Sequence, residues 1–468
     1  MPDRYESPLS SRYASDEMQH IFSPDMRYST WRNLWVSLAK AEHALGLPVT
    51  QTQVDELAAH VHDIDYDAVA KREREVRHDV MAHVYAYGLV CPGAKGIIHL
   101  GATSCYVTDN ADLIILREAL RSIRKSLSVV IANLSAFAER YKAMPAVGYT
   151  HFQVAQPVTV GKRACLWMQD LLLDCEELDD ALSAIRFLGC RGATGTEASF
   201  MDLFNGDTEK IDSLNRMIAS DFGFTRIYEV CGQTYPRKLD SRILSVLSSI
   251  AQSATRFAGD VRLLQHDGQL FEPFEENQIG SSAMAYKRNP MRCERICSLA
   301  RYVMTTAQNA PLTAGAQWLE RTLDDSANRR IALPEAFLAT DAVLRLMANV
   351  TGGLVVDEVA TARILNDSLP FLATENLLME AVRVGGDRQT CHEVIRRHSM
   401  DCRAAMQKGD PCDLLRRLAD DPDFPLNADQ LQKQLDPMAH IGRCVEQVER
   451  FLAAHPVEQT GKLQEIDV

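Results

Sequence analysis

The sequence predicts an all-α fold of three helical domains, in which a long central helix bundle forms the core of an assembly of like chains. Three long apolar stripes and the scarcity of strand-like alternation predict it. The first stripe runs Leu113, Leu116, Leu120, Ile123, Leu127, Val130, Leu134, Phe137, in alternating steps of three and four, with Asp109 and Asn110 ahead of it as turn and capping residues. The second, Ala164, Met168, Leu171, Cys175, Leu178, Leu182, Ile185, keeps the same period, as does the third, Ile243, Leu247, Ile250, Ala254, Phe257, Val261, Leu264. At about 1.5 Å per residue such helices run roughly 30 to 45 Å, so each needs an equally long partner. Stripes of this length also bury themselves between subunits, which predicts a homo-oligomer.

Domain borders follow from turn residues. The glycine- and proline-marked stretch Cys91 to Ser104 and the pair Gly352-Gly353 divide the chain into an N-terminal helical domain (1–103), the central bundle (104–356) and a C-terminal helical domain (357–468). The polar tail after Pro456 is expected to be poorly ordered.

A chain of 468 residues exceeds one ordinary core, and 46% hydrophobic with 24% charged residues is average for soluble folds. Neither a leader sequence nor an apolar run long enough to span a membrane stands out, which places the protein in the cytoplasm and away from membranes. Twelve cysteines without a C-x-x-C pair, several of them inside apparent helices (Cys165, Cys175, Cys297), read as reduced and buried thiols. The net charge of −13 disfavours nucleic acid as a partner. An anionic small molecule needs a local basic pocket, and the window Tyr286 to Arg301 offers Lys287, Arg288, Arg292, Arg295 and Arg301 against Glu294 alone. The same window reads equally as a solvated basic helix face.

Three segments carry residues suited to chemistry. Gly280 to Pro290 places Ser281 and Ser282 among small residues, then Lys287 and Asn289, then a proline before a helical pattern. It reads as a mobile loop whose donors could surround a carboxylate, or as a plain linker. Thr150 to Pro157 sets His151 among hydrogen-bonding side chains just before the second long helix, where it could move a proton or be simply structural. In Arg77-His78-Asp79 the acid could be an ordinary ion-pair partner on a charged helix. His392-Glu393 precedes His398 by the wrong spacing for a helical zinc site, and neither a Walker-type loop nor G-x-G-x-x-G occurs, so no metal and no nucleotide cofactor is implied.

Gly280 to Asn289, Thr150 to Pro157 and Gly101-Ala102-Thr103-Ser104 together resemble the three shared segments of the fumarase and aspartase superfamily. Within it, Ser11-Arg12-Tyr13, Arg77 to His83, Gly232-Gln233-Thr234-Tyr235 and Arg321 to Arg330 resemble the adenylosuccinate lyase family, in its animal-type branch, from about residue 7 to about residue 450. The resemblance implies a cofactor-free homotetramer with sites shared by three subunits, releasing fumarate from succinylated purine nucleotides. It implies Ser281 as general base, His151 as general acid, Lys287 and Asn289 on the substrate carboxylate, and His78 near the phosphate. Arg12, Tyr13, Arg321, Ser326 and Arg330 would hold the phosphate, Gln233 the succinyl or base region, and Thr103, Ser104 and Thr150 the succinyl oxygens. Arg77, Asp79, Ser282, Met284 and Arg295 complete the implied binding set, with Glu294 beside it.

Three positions depart from the family pattern. Ala285 replaces a loop proline and is expected to widen the open ensemble, Val154 replaces another proline, and Glu197 adds a charge where glutamine is usual. An argininosuccinate lyase type of enzyme and a non-enzymatic helical scaffold are the competing readings. The arginine-rich set argues against the first, and the joint presence of Ser281, Lys287, Asn289 and His151 against the second.

Overall fold

The computed structural model describes residues 4–275, 277–284, 286–457 and 463–464. Ala285 and most of the tail after Pro456 lie outside the described residues. An N-terminal helix α1 (Pro24–Ala44) starts from Ser23, whose side chain accepts from the Met26 N–H, with Pro24 in the first turn. Two shorter helices, α2 (Tyr66–Val76) and α3 (Asp79–Val90), meet at a left-handed Arg77. Then come α4 (Ser104–Arg140), the strands β1 (Pro145–Thr150) and β2 (Gln153–Thr159), and α5 (Val160–Ala184). The chain continues through α6 (Lys238–His266), α7 (Met291–Thr306) and α8 (Asp324–Gly352).

The three stripes become α4, α5 and α6, and their apolar faces form one seam: Leu120, Leu127, Met168, Leu178, Ile250 and Val261 have no exposed surface. α4 packs on α5 and α8, and α6 packs on α5, α7 and α8. Trp167 adds a polar tie, donating from Nε1 to Asp260 Oδ2 at 2.7 Å. The fourth long helix, α8, has no single stripe because Phe337, Ala339, Val343, Leu344, Leu346 and Met347 bury it on several faces.

Asp109 and Asn110 are corrected by the structure. They do not precede α4 but lie inside it, because the helix starts five residues earlier at Ser104. Both are buried polar residues whose partners lie across the fold. Asn110 Oδ1 accepts from the N–H groups of Leu188 (2.9 Å) and Gly189 (3.2 Å), while Nδ2 donates to Tyr106 O and Gly189 O.

The segment from Thr150 to Pro157 is a hairpin rather than a loop. β1 and β2 pair antiparallel with Thr150 opposite Gln153, leaving His151 and Phe152 as a two-residue turn with φ of 53° and 58°. That is the doubly left-handed turn that matches strand twist, normally built from Asn and Gly. A second pair, β3 (Leu270–Phe271) and β4 (Val355–Val356), closes the end of α6 against the chain after α8.

A separate apolar cluster, including Leu377, Cys402, Leu414, Leu418 and Leu431, forms beyond residue 370. All twelve cysteines are free, and all but Cys231, Cys297 and Cys412 are buried. Gln464, in the tail, bonds to the backbone and carboxylate of Asp16. Among the described residues no helix is long and apolar enough to cross a membrane.

Candidate active site

A cavity of about 510 Å³ opens where α3, the start of α4, the loop before α6 and the start of α8 converge. It brings together Arg77, His78, Asp79 and Ser104 with Gln233, Arg321, Ser326 and Arg330, so eight of the sequence-predicted residues share one wall system. Their placement follows from helix ends. His78 caps α3 through Nδ1, which accepts from the Met81 N–H at 3.3 Å. With Nδ1 an acceptor, a neutral ring carries its proton on Nε2, 3.3 Å from Ser104 Oγ. Asp79, read above as a possible helix-face partner, stands at the start of α3 and pairs with Arg330 Nη2 at 3.0 Å.

Ser104 begins a 37-residue helix that takes no side-chain cap from Thr103, so its positive end faces the cavity. Gly101, at φ 65°, makes the turn into it; a Cβ there would stand 2.8 Å from Leu203. Gln233 is held at both ends of its amide, with Nε2 donating to Ala193 O at 3.0 Å and Oε1 accepting from Cys105 Sγ at 3.2 Å.

The floor of the cavity is a largely buried lattice of arginines and aspartates. Arg237 donates from Nη1 to Asp109 Oδ1 and from Nε to Asp325 Oδ2, both at 2.7 Å, and Arg321 donates to Asp325 Oδ1 at 2.9 Å. Arg329 reaches Asp240 at 2.7 Å and Asp112 at 2.9 Å. Burial alone would raise the Asp325 carboxyl, but Arg237 and Arg321 outweigh it and hold it below the usual range. For Arg237 burial works against the cation, and Asp109 more than restores it. The lattice ties α4, α6 and α8 together, and Asp109, Asp112, Arg237, Asp325 and Arg329 themselves line the cavity.

The remaining predicted residues are elsewhere on the chain. His151 and Thr150 are exposed at the hairpin tip. Ser281, Ser282, Met284 and Lys287 occupy an irregular loop before α7 and line none of the first cavity; Asn289 lines a second one of about 520 Å³. Ser281 Oγ accepts from the N–H groups of Ala283 (3.2 Å) and Met284 (3.1 Å), and Asn289 donates to Gly280 O at 2.7 Å. The loop folds so tightly that a Cβ on Gly280 would meet Lys287 O at 1.9 Å. Arg12 and Arg295 both approach the Tyr13 ring, each 5.9 Å from its centroid.

The basic window is corrected in one respect: Arg292 is buried and spends its guanidinium on Glu275 and the Pro273 carbonyl. Glu197 finds its place inside the protein, accepting from Arg191 at 2.8 Å and Asn215 at 2.9 Å.

Curated adenylosuccinate lyases match this chain along nearly all of its length. That of Schizosaccharomyces pombe is 50% identical over 96% of this chain and 94% of its own, that of Saccharomyces cerevisiae 49% over the same shares, and that of Schistosoma mansoni 47%. The chain belongs to the adenylosuccinate lyase family. Consistent with that family, a lyase model matches residues 12–305 and an adenylosuccinate lyase C-terminus model residues 370–451. The fold also matches the crystal structure of 3-carboxy-cis,cis-muconate lactonizing enzyme from Pseudomonas putida, with a TM-score of 0.83 at 25% identity over 95% of this chain and 98% of that one. A fumarate lyase from Mesorhizobium sp. BNC1 superposes with a TM-score of 0.81 at 22% identity, covering 95% and 99%. The segments that carry the resemblance fall on helix ends, a hairpin and an irregular loop. Sequence reasoning missed the lattice among them, although Asp325 and Arg329 stand at the four-residue spacing that shares a helix face.

Proposed function

We propose that this protein eliminates fumarate from adenylosuccinate, leaving AMP, and from the succinylated aminoimidazole carboxamide ribotide, in the cytoplasm and without a cofactor. The observation that carries this reading is the 50% identity to a curated adenylosuccinate lyase over 96% of the chain. The cavity supports it. Arg321 and Arg330 stand with Ser326 beside an uncapped helix start, a setting suited to a phosphate.

In this mechanism Ser281 removes the proton from the carbon next to one succinyl carboxylate. Two backbone N–H groups already point at its Oγ, the arrangement that stabilises an alkoxide. Lys287 and Asn289 take up the charge that develops on the carboxylate. The electron pair then forms the fumarate double bond as the carbon–nitrogen bond breaks, and His151 gives its proton to the departing nitrogen. His78, with Nε2–H directed to Ser104, orders the phosphate end.

His151, Ser281 and Lys287 line no part of the cavity that holds His78 and Arg321. This separation is the argument for a homotetramer in which three subunits complete each site. The same reading keeps the division at 103/104 and 356/357, assigns Arg12 and Tyr13 to the phosphate side and keeps Arg295 in the binding set. The test is to mix the purified protein with adenylosuccinate and quantify fumarate and AMP. Equal release supports the reading; a folded tetramer that releases neither overturns it.

A further inference from the structure

Arg321 stands on the loop just before α8 and lines the cavity, with 23% of its side chain exposed. Its Nη1 donates to Asp325 Oδ1 at 2.9 Å and to the Thr322 carbonyl. Among the described residues its Nε and Nη2 make no hydrogen bond, so that edge of the guanidinium is available to an anion. Asp325, one turn along, has no exposed side-chain surface and gives its other oxygen to Arg237, itself 2% exposed.

We infer that Asp325 is a positioning residue for the substrate's phosphate, fixing the plane of Arg321 from the buried lattice and thereby setting the preference for a nucleotide over its nucleoside. The inference rests on the reading of Arg321 as a phosphate ligand given above. A guanidinium is a flat fork, and anchoring Nη1 on one carboxylate oxygen leaves the opposite edge aimed and already ordered before substrate arrives. A carboxylate so near a phosphate would ordinarily repel it. Here Arg237 spans Asp325 and Asp109, so the negative charge of Asp325 is offset from below while Arg321 presents its own charge above. The carboxyl also stays ionised at neutral pH, since the two arginines hold it low against the effect of burial.

Asp325→Asn keeps the shape and removes the charge. The experiment compares kcat/KM of the full assembled protein on adenylosuccinate and on the same compound without its phosphate. The variant is expected to lose about tenfold or more on the nucleotide, mainly through KM, and less than about twofold on the nucleoside. Equal loss on both substrates would make Asp325 merely structural, and no loss on the nucleotide would remove it from recognition; either result overturns the inference.

Should the variant fail to fold, Arg321→Lys tests the same idea at the cavity rim. It keeps the charge but replaces the anchored fork with a point ammonium, and is expected to lower the nucleotide-to-nucleoside ratio about tenfold. An unchanged ratio overturns the inference. A wild-type protein inactive on adenylosuccinate would sink the functional reading and this one with it, whereas an active enzyme with an unchanged ratio in the variants sinks this one alone.

Discussion

At the scale of single residues, two side chains carry separate predictions. In the proposed mechanism Ser281 is the base, and replacing its hydroxyl should leave the phosphate end of the site untouched. Ser281→Ala is expected to lower kcat by about 100- to 10,000-fold while substrate binding by calorimetry stays within about threefold. Near-normal turnover would remove it from the mechanism. Glu42 is a different case: it is fully buried on α1, neither oxygen has a hydrogen-bond partner among the described residues, and burial pushes its carboxyl up to about 8 from 4.5. Tyr106 and Cys190 are among the groups that feel its charge.

The folded state therefore binds a proton that the unfolded chain releases from about 4.5 upward, and stability falls as pH rises toward 8. Relative to a residue that never ionises, the penalty at pH 7 is on the order of 3 kcal/mol. Glu42→Gln should raise the melting temperature, and flatten its decline between about pH 6 and about pH 8.5. An unchanged slope would show that Glu42 is not the titrating group.

At the scale of elements, the long helices are defined by what they bury and by polar residues inside them. Asn110 serves four hydrogen bonds from the middle of a buried helix surface, tying α4 to the chain at Leu188 and Gly189. Asn110→Ala leaves two N–H groups without that acceptor, at a cost of about 3 kcal/mol. A fall in the urea midpoint should report it, and a midpoint unchanged from wild type would mean that water replaces the amide. The hairpin teaches a related lesson. His151 sits at a turn whose backbone favours asparagine or glycine, so local preference does not account for a histidine there.

At the scale of the whole molecule, the separation of the cavity from the hairpin tip and the serine loop leads to a mixing experiment. His151→Ala and Ser281→Ala proteins, each expected to be inactive under the proposed mechanism, are unfolded together and refolded. If the two residues of one site come from different subunits, random assortment gives about a quarter of sites with both intact, and a matching return of activity. No recovery from well-formed mixed tetramers would place both residues on one chain's contribution.

The stripes at 113–137, 164–185 and 243–264 were legible because each long helix shows one apolar face and one wet one, and a period of 3.6 survives in the sequence. α8 was not, because a helix buried all round carries no such contrast. The residues proposed for the chemistry, Ser281, His151, Lys287 and Arg321, were singled out through family resemblance. Asp325, Arg237 and Asp109 were not, since a buried ion pair is defined by a partner more than 80 residues away and looks like surface charge until the chain folds. Sequence by itself thus determined the helical class, the long seams and the identity of the polar segments, all properties of local pattern. Only the tertiary structure decided that Asp109 and Asn110 lie within a helix, that His151 occupies a hairpin turn, and which arginines face the cavity. The cavity and the partners of Asp109 and Asn110 depend on long-range contacts, where burial makes every unpaired polar group costly and so selects its partners, whereas the hairpin rests on the short-range pairing of Thr150 with Gln153.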